Sequence, residues 1–131
     1  MTIEILHEYE HATIVDCHSF PDIPLNRDLI KELPRPDFCI GIDEYHTPKK
    51  LSTAVMDLLL SSGYKVLINN PYAGTIIPMK YYKQNKNVTG LMIEVNRKLY
   101  MTNSNGVALK NESFENICKI IKNIFHLLKD S

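Results

Sequence analysis

Apolar residues fall along this chain in short, nearly continuous runs, separated by stretches where they recur every three to four positions. Residues 12–17 (ATIVDC) form a β-branched run that stops abruptly at small and polar residues, the pattern of a buried strand running out into a loop. Residues 38–42 (FCIGI), 64–69 (YKVLIN) and 90–95 (GLMIEV) repeat that pattern and predict three more strands. Thr47 and Pro48 read as an N-cap followed by proline at the first helical position. Leu51, Ala54, Val55, Leu58 and Leu59 then hold helical spacing until Gly63 offers a left-handed stop. Over residues 112–128, Phe114, Ile117, Cys118, Ile121, Ile124, Phe125 and Leu128 trace one apolar stripe, so an amphipathic helix is expected there.

Between these elements the punctuation is strong. Residues 20–36 contain Pro21, Pro24, Pro34 and Pro36 and read as a long surface excursion with one short helical turn around Leu29. Residues 70–78 (NPYAGTIIP) and 103–106 (NSNG) are turn-rich. Strands alternating with helices predict an α/β domain with a mixed, largely parallel sheet flanked by helices. In such sheets ligands sit outside the carboxyl ends of strands, and three polar clusters of this chain follow predicted strands.

Composition narrows the function. At 131 residues and 44% apolar content, one domain spanning residues 1–131 with its own core is expected. Fifteen basic and fifteen acidic residues leave no field that would draw nucleic acid or an anionic membrane. Cys17, Cys39 and Cys118 are odd in number and widely spaced, which argues against a disulfide framework and fits a cytoplasmic protein. The longest apolar runs fall well short of the roughly 18–20 residues of a membrane span.

Candidate chemistry collects at the strand ends. In Asp16-Cys17-His18-Ser19 a histidine leaves a strand with a carboxylate two residues before it, suited to metal ligation or to a hydrogen-bonded structural role. Glu94 interrupts an apolar run, so it needs a partner such as Arg97, a solvated face, or a role as general base toward a bound water. Asp43 and His46 lie beside a helix start, where an anion could be held or where both residues simply close a turn. Asn69, Tyr72 and Gly74 make either a tight turn or a substrate-facing loop. His7 and Glu10 match a His-x-x-Glu zinc spacing, but the strand before His18 separates them from it.

Taken in order, the blocks IVDCHS (14–19), RPD (35–37) with IGIDEYHTP (40–48), NNPYAG (69–74) and IEVNRKLYM (93–101) resemble those of the N-formylglutamate amidohydrolase family. The resemblance covers roughly residues 12–101. It implies a fold similar to zinc carboxypeptidases and aspartoacylases, here lacking the family's N-terminal portion, and hydrolysis of a small N-acyl amino acid, N-formylglutamate, to formate and glutamate. It implies zinc held by His18 with Asp16 beside it, and Glu94 as the general base. Arg97, Asn69 and Tyr72 become candidates to hold the substrate, with Gly74, Asp43 and His46 close by. One histidine cannot hold a catalytic zinc alone. The alternative expectation is therefore a non-catalytic remnant that binds a small dicarboxylate or a protein partner. An uncovered sheet edge further predicts a homo-oligomer.

Overall fold

The computed structural model describes residues 1–129. Its elements in chain order are α1 (Thr2–Tyr9), β1 (Ala12–Phe20), β2 (Phe38–Gly41), α2 (Lys49–Ser61), β3 (Val66–Ile68), β4 (Val88–Asn96), β5 (Met101–Ser104), β6 (Val107–Lys110) and α3 (Phe114–Lys129), with a 3-10 turn at Arg97–Leu99. Four strands form one sheet in the order β1-β4-β2-β3, and β5 with β6 form a separate hairpin. The hairpin turns through Asn105 and Gly106, both at positive φ, the backbone that an Asn-Gly pair supplies at least cost.

β1 and β4 run parallel, as do β2 and β3, while β4 and β2 are antiparallel. Two of the three pairings are thus parallel, and the sheet is mixed as expected. The antiparallel junction has a consequence for function. The carboxyl ends of β1 and β4 point one way and those of β2 and β3 the other, so the predicted strand-end clusters do not all share one end of the sheet.

Strand alternation sorts the side chains into two faces. Phe38, Ile40, Leu91, Ile93 and Val95 point to one face, where Leu51, Val55 and Leu59 of α2 and Ile117, Ile124 and Leu128 of α3 complete the core. The register places Asp16 beside Met92, His18 beside Glu94, Glu94 beside Cys39 and Met92 beside Gly41, all on the opposite face. Among the described residues no helix lines the cavity on that second face. Two irregular segments lie over it, residues 21–37 and 69–87.

The second segment is pressed close to the sheet. The thiol of Cys39 donates to the carbonyl of Tyr72 at 3.1 Å. A Cβ on Gly41 would collide with the backbone oxygen of Gly74, and one on Gly90 would meet Ile77 Cδ1 at 2.7 Å. Glycine at these two strand positions is what lets the loop reach the sheet.

Candidate functional site

On the loop-covered face, a cavity of about 710 Å³ is lined by His18, Met92 and Glu94 from the sheet, by residues 27–30, and by Asn69 and Pro71–Ala73. His18 and Glu94 are register partners on adjacent parallel strands, so their side chains leave the same face next to one another. Both reach the cavity.

The Asp16 carboxylate lies 2.7 Å from His18 Nε2. The two residues are two apart on a strand and therefore share a face. The Asp16 carboxylate engages Nε2 and orients the ring, so Nδ1 is the ring nitrogen without a hydrogen bond to Asp16. About half of the His18 side chain remains exposed.

Glu94 is 8% exposed, and its Oε2 has no hydrogen-bond partner. Burial pushes its carboxyl above the ordinary carboxylate value; His18 and Arg97 pull downward and Asp16 pushes further up. An acid held in this state accepts a proton more readily than a solvated one, the property that general-base chemistry requires.

Asn69 sits at φ 53°, and its Oδ1 accepts from Ile42 N at 2.8 Å and Gly74 N at 3.2 Å. The side-chain oxygen ties the loop to the end of β2, and its NH₂ group is left to donate. Tyr72 Oη donates to Asp28 Oδ2 at 3.3 Å and accepts from Arg35 Nη1 at 3.2 Å. Arg35 is buried, and it also donates to Asp28 at 2.6 Å and to the carbonyls of Pro21 and Ile30. This cluster pins residues 21–36 to the Tyr72 loop. The Leu25 backbone N–H, followed by Arg35 and Tyr72, holds the Asp28 carboxyl below its usual range.

Four of the expected site residues, Asp43, His46, Gly74 and Arg97, are not among the residues lining this cavity. Asp43 Oδ1 accepts from the backbone N–H groups of Tyr45 and His46 at 2.9 and 3.0 Å, which closes the turn after β2. Burial opposes ionisation of Asp43, but those two N–H groups outweigh it and hold its carboxyl low. His46 is fully buried; its Nδ1 donates to Val88 O at 2.7 Å and its Nε2 accepts from Lys83 N at 2.8 Å. Both nitrogens are occupied by backbone next to the start of β4, away from the ends of β1 and β4. The direction of β2 is the physical reason: its carboxyl end lies at the other end of the sheet. Arg97 donates to Ser19 through Nε at 3.1 Å and Nη2 at 3.1 Å, bracing β1 against β4. It borders a second cleft together with Cys17, His18 and Ile121, and is not among the residues lining the Glu94 cavity. Gly74 is likewise outside that lining; its φ of 87° shapes the loop that carries Asn69 and Tyr72.

Sequence reasoning gave no role to Arg27, and Arg35 entered only as part of the RPD block. Both sit in a proline-rich segment with no periodicity, and an arginine there gives no sign of its direction. The His7 and Glu10 pair stays apart from the site: both are exposed, on α1 and its cap, before the amino end of β1. His18 is seven residues further along the chain than His11, roughly 23 Å along an extended strand.

A catalytic zinc takes about three protein donors and an open position. Among the described residues no three His, Cys, Asp or Glu side chains converge as such a set. The half-exposed His18 imidazole is one suitable donor, and the described residues by themselves do not fit a complete zinc centre.

Residues 2–101 match the family model described as N-formylglutamate amidohydrolase. The crystal structure of N-formylglutamate amidohydrolase from Ralstonia eutropha JMP134 superposes with a TM-score of 0.75 at 23% identity, over 93% of this chain and 45% of that one. The fold is shared, and this chain spans a little under half the length of that relative. No curated protein sequence matches the chain. Among the described residues no helix is long and apolar enough to cross a membrane.

Proposed function

The chain belongs to the N-formylglutamate amidohydrolase family, and from that premise we propose that it carries the base-and-substrate half of an amidohydrolase site acting on a small N-acyl amino acid, N-formyl-L-glutamate first. The observation that carries this reading is the pairing of His18 with Glu94, one oriented by Asp16 and the other buried without a partner, at the same cavity.

In this reading Glu94 takes a proton from a water whose oxygen attacks the formyl carbon. The C–N bond breaks as the same proton is delivered to the leaving nitrogen, giving formate and glutamate. Glu94 is suited to both transfers because burial has raised its proton affinity. Asn69 offers its NH₂ group to the substrate from the loop over the sheet. Of the zinc centre that the family resemblance implies, His18 supplies one donor, so zinc dependence requires further donors beyond the described residues.

The test is formate release from N-formyl-L-glutamate, measured with and without added zinc, by the purified chain and its Glu94→Gln variant. Turnover that falls about 100-fold or more in Glu94→Gln supports the reading, since a general base is worth roughly that factor. Turnover unchanged by the substitution contradicts it. A second reading is favoured by the incomplete donor set: a site that binds a small dicarboxylate without cleaving it. Saturable binding of N-formyl-L-glutamate with no formate released at any zinc concentration identifies that case.

A further inference from the structure

The two edges of the four-stranded sheet are built differently. β3 is three residues long, follows Lys65 and stops at Asn69 in a positive-φ conformation, so it offers little to a neighbouring strand. β1 runs for nine residues, ATIVDCHSF, with no lysine, arginine, proline or glycine, and pairs with β4 alone. Ala12 N–H donates to Asn87 O at 2.8 Å, in register with Val88. Even-numbered residues of β1 therefore turn their backbone groups to β4, and Thr13, Val15, Cys17 and Ser19 turn theirs outward. The Ser19 carbonyl accepts from Arg97, while no second strand takes up the outward groups of Thr13, Val15 and Cys17 among the described residues. Beside this edge, Phe125 of α3 is 44% exposed and lines both apolar grooves between that helix and β1.

We propose that two copies of the chain pair antiparallel through β1, about a two-fold axis at Cys17, joining their four-stranded sheets into one and setting Asp16 of each copy against His18 of the other. Charge complementarity selects both the occupant and the register. With the axis at Asp16 two carboxylates would oppose each other; at Val15 each Asp16 would face Ile14, and at His18 each would face Phe20. Only the axis at Cys17 matches each acid with an imidazole. Those are non-hydrogen-bonded pairs, the closer kind, with Cα atoms about 4.5 Å apart. His18 suits the contact, because its side chain is half exposed and its Nδ1 has no bond to the Asp16 of its own chain. Each Glu94 cavity thereby gains, beside its His18, an acid from the second copy. The register uses residues 14–20 and leaves Ala12 and Thr13 clear beside Tyr9 and Ile5 of α1. An interface that uses the same edge on both copies closes on itself, and the blunt β3 edge stops further growth, so the product is a dimer and not a fibre. The pairing does not depend on what the cavity binds.

Sedimentation equilibrium of the full chain and its variants tests the dimer, and cross-linking tests the register. Cys17 is exposed, so Cys17→Lys should fold as the parent does, and circular dichroism checks this. It sets two like charges opposite each other at the axis and should weaken dimerisation roughly 10-fold or more. Cys17→Pro removes an outward N–H that β4 does not use and should act in the same direction. Leu67→Lys, on the exposed β3 edge, should leave the dimer intact. At the axis the two Cys17 Cα atoms lie about 5.5 Å apart, within the range of a disulfide. Diamide, taking two electrons and two protons from the two thiols, should therefore give a covalent dimer in the wild type and in Cys118→Ser but not in Cys17→Ser. A strict monomer up to the highest soluble concentration would overturn the proposal. So would open-ended aggregates, a dimer that survives Cys17→Lys but not Leu67→Lys, or a dimer that diamide does not link through Cys17.

Discussion

Glu94 should cost this protein stability, and Glu94→Gln should return it. The carboxyl is 8% exposed, Oε2 has no partner, and β4 is buried over nearly its whole length. A buried acceptor without a hydrogen bond costs about 1–3 kcal/mol, more when charged. His18 across the strand pair offsets part of that, and the glutamine amide leaves its own polar group short of a partner, so the net gain is about 1–2 kcal/mol at neutral pH. For a domain of this size that is roughly 3–10 °C in Tm. The sign with pH follows from proton binding. Burial raises the folded-state pKa above the ordinary value of 4.5, so the folded chain holds the proton more tightly than the unfolded one. As pH rises above 4.5 the wild type loses stability until the folded-state carboxyl has ionised; below 4.5 the carboxyl is neutral in both states and costs nothing extra. Urea melts of wild type and Glu94→Gln from pH 4 to pH 8 should therefore converge at the acid end and separate toward neutrality, with the variant above. A variant less stable at pH 7, or a gain that does not change with pH, would refute the view that Glu94 is buried against its own solvation.

Two further substitutions probe the frame around the cavity. Gly41→Ala puts a methyl against the Gly74 carbonyl and within 2.9 Å of Met92 Cβ, so it should cost about 1–3 kcal/mol in denaturant melts and weaken N-formyl-L-glutamate binding through the displaced Asn69 loop; full stability would show that the loop does not rest on the sheet. His46→Ala should cost about 2–4 kcal/mol, since it opens a cavity and strands the Val88 carbonyl and Lys83 N–H; a loss below 1 kcal/mol would reassign His46 to something other than bracing.

The main strands and the two larger helices were legible because their signals are local. Apolar runs gave β1 to β4, the stripe from Phe114 to Leu128 gave α3, and residues 103–106 marked a turn, though not the β5–β6 hairpin around it. α1 was missed because its eight residues carry only a weak stripe and bury no side chain. The helical turn expected around Leu29 is absent; residues 24–36 turn and bend, fixed by Arg35 and Asp28, which are contacts no periodicity encodes. The site was legible where it depends on a single pair of strands. His18 and Glu94 face one cavity because two parallel strands bring them level. Asp43 and His46 lie outside the lining of that cavity because strand direction is a property of the whole sheet: their apolar run gives no sign that β2 opposes β4. Arg97 looked available because it follows Glu94 closely in sequence, yet the turn at Arg97–Leu99 carries its guanidinium back to Ser19.

The central claim is that one face of β1 and β4 receives the acyl end of the ligand. A two-dimensional NMR titration of the labelled chain with N-formyl-L-glutamate tests it most directly. The shifts should concentrate at His18, Asn69, Met92 and Glu94, with the His46 and Lys83 signals unmoved. Shifts centred on His46 and Lys83, or none at saturating ligand, would contradict it.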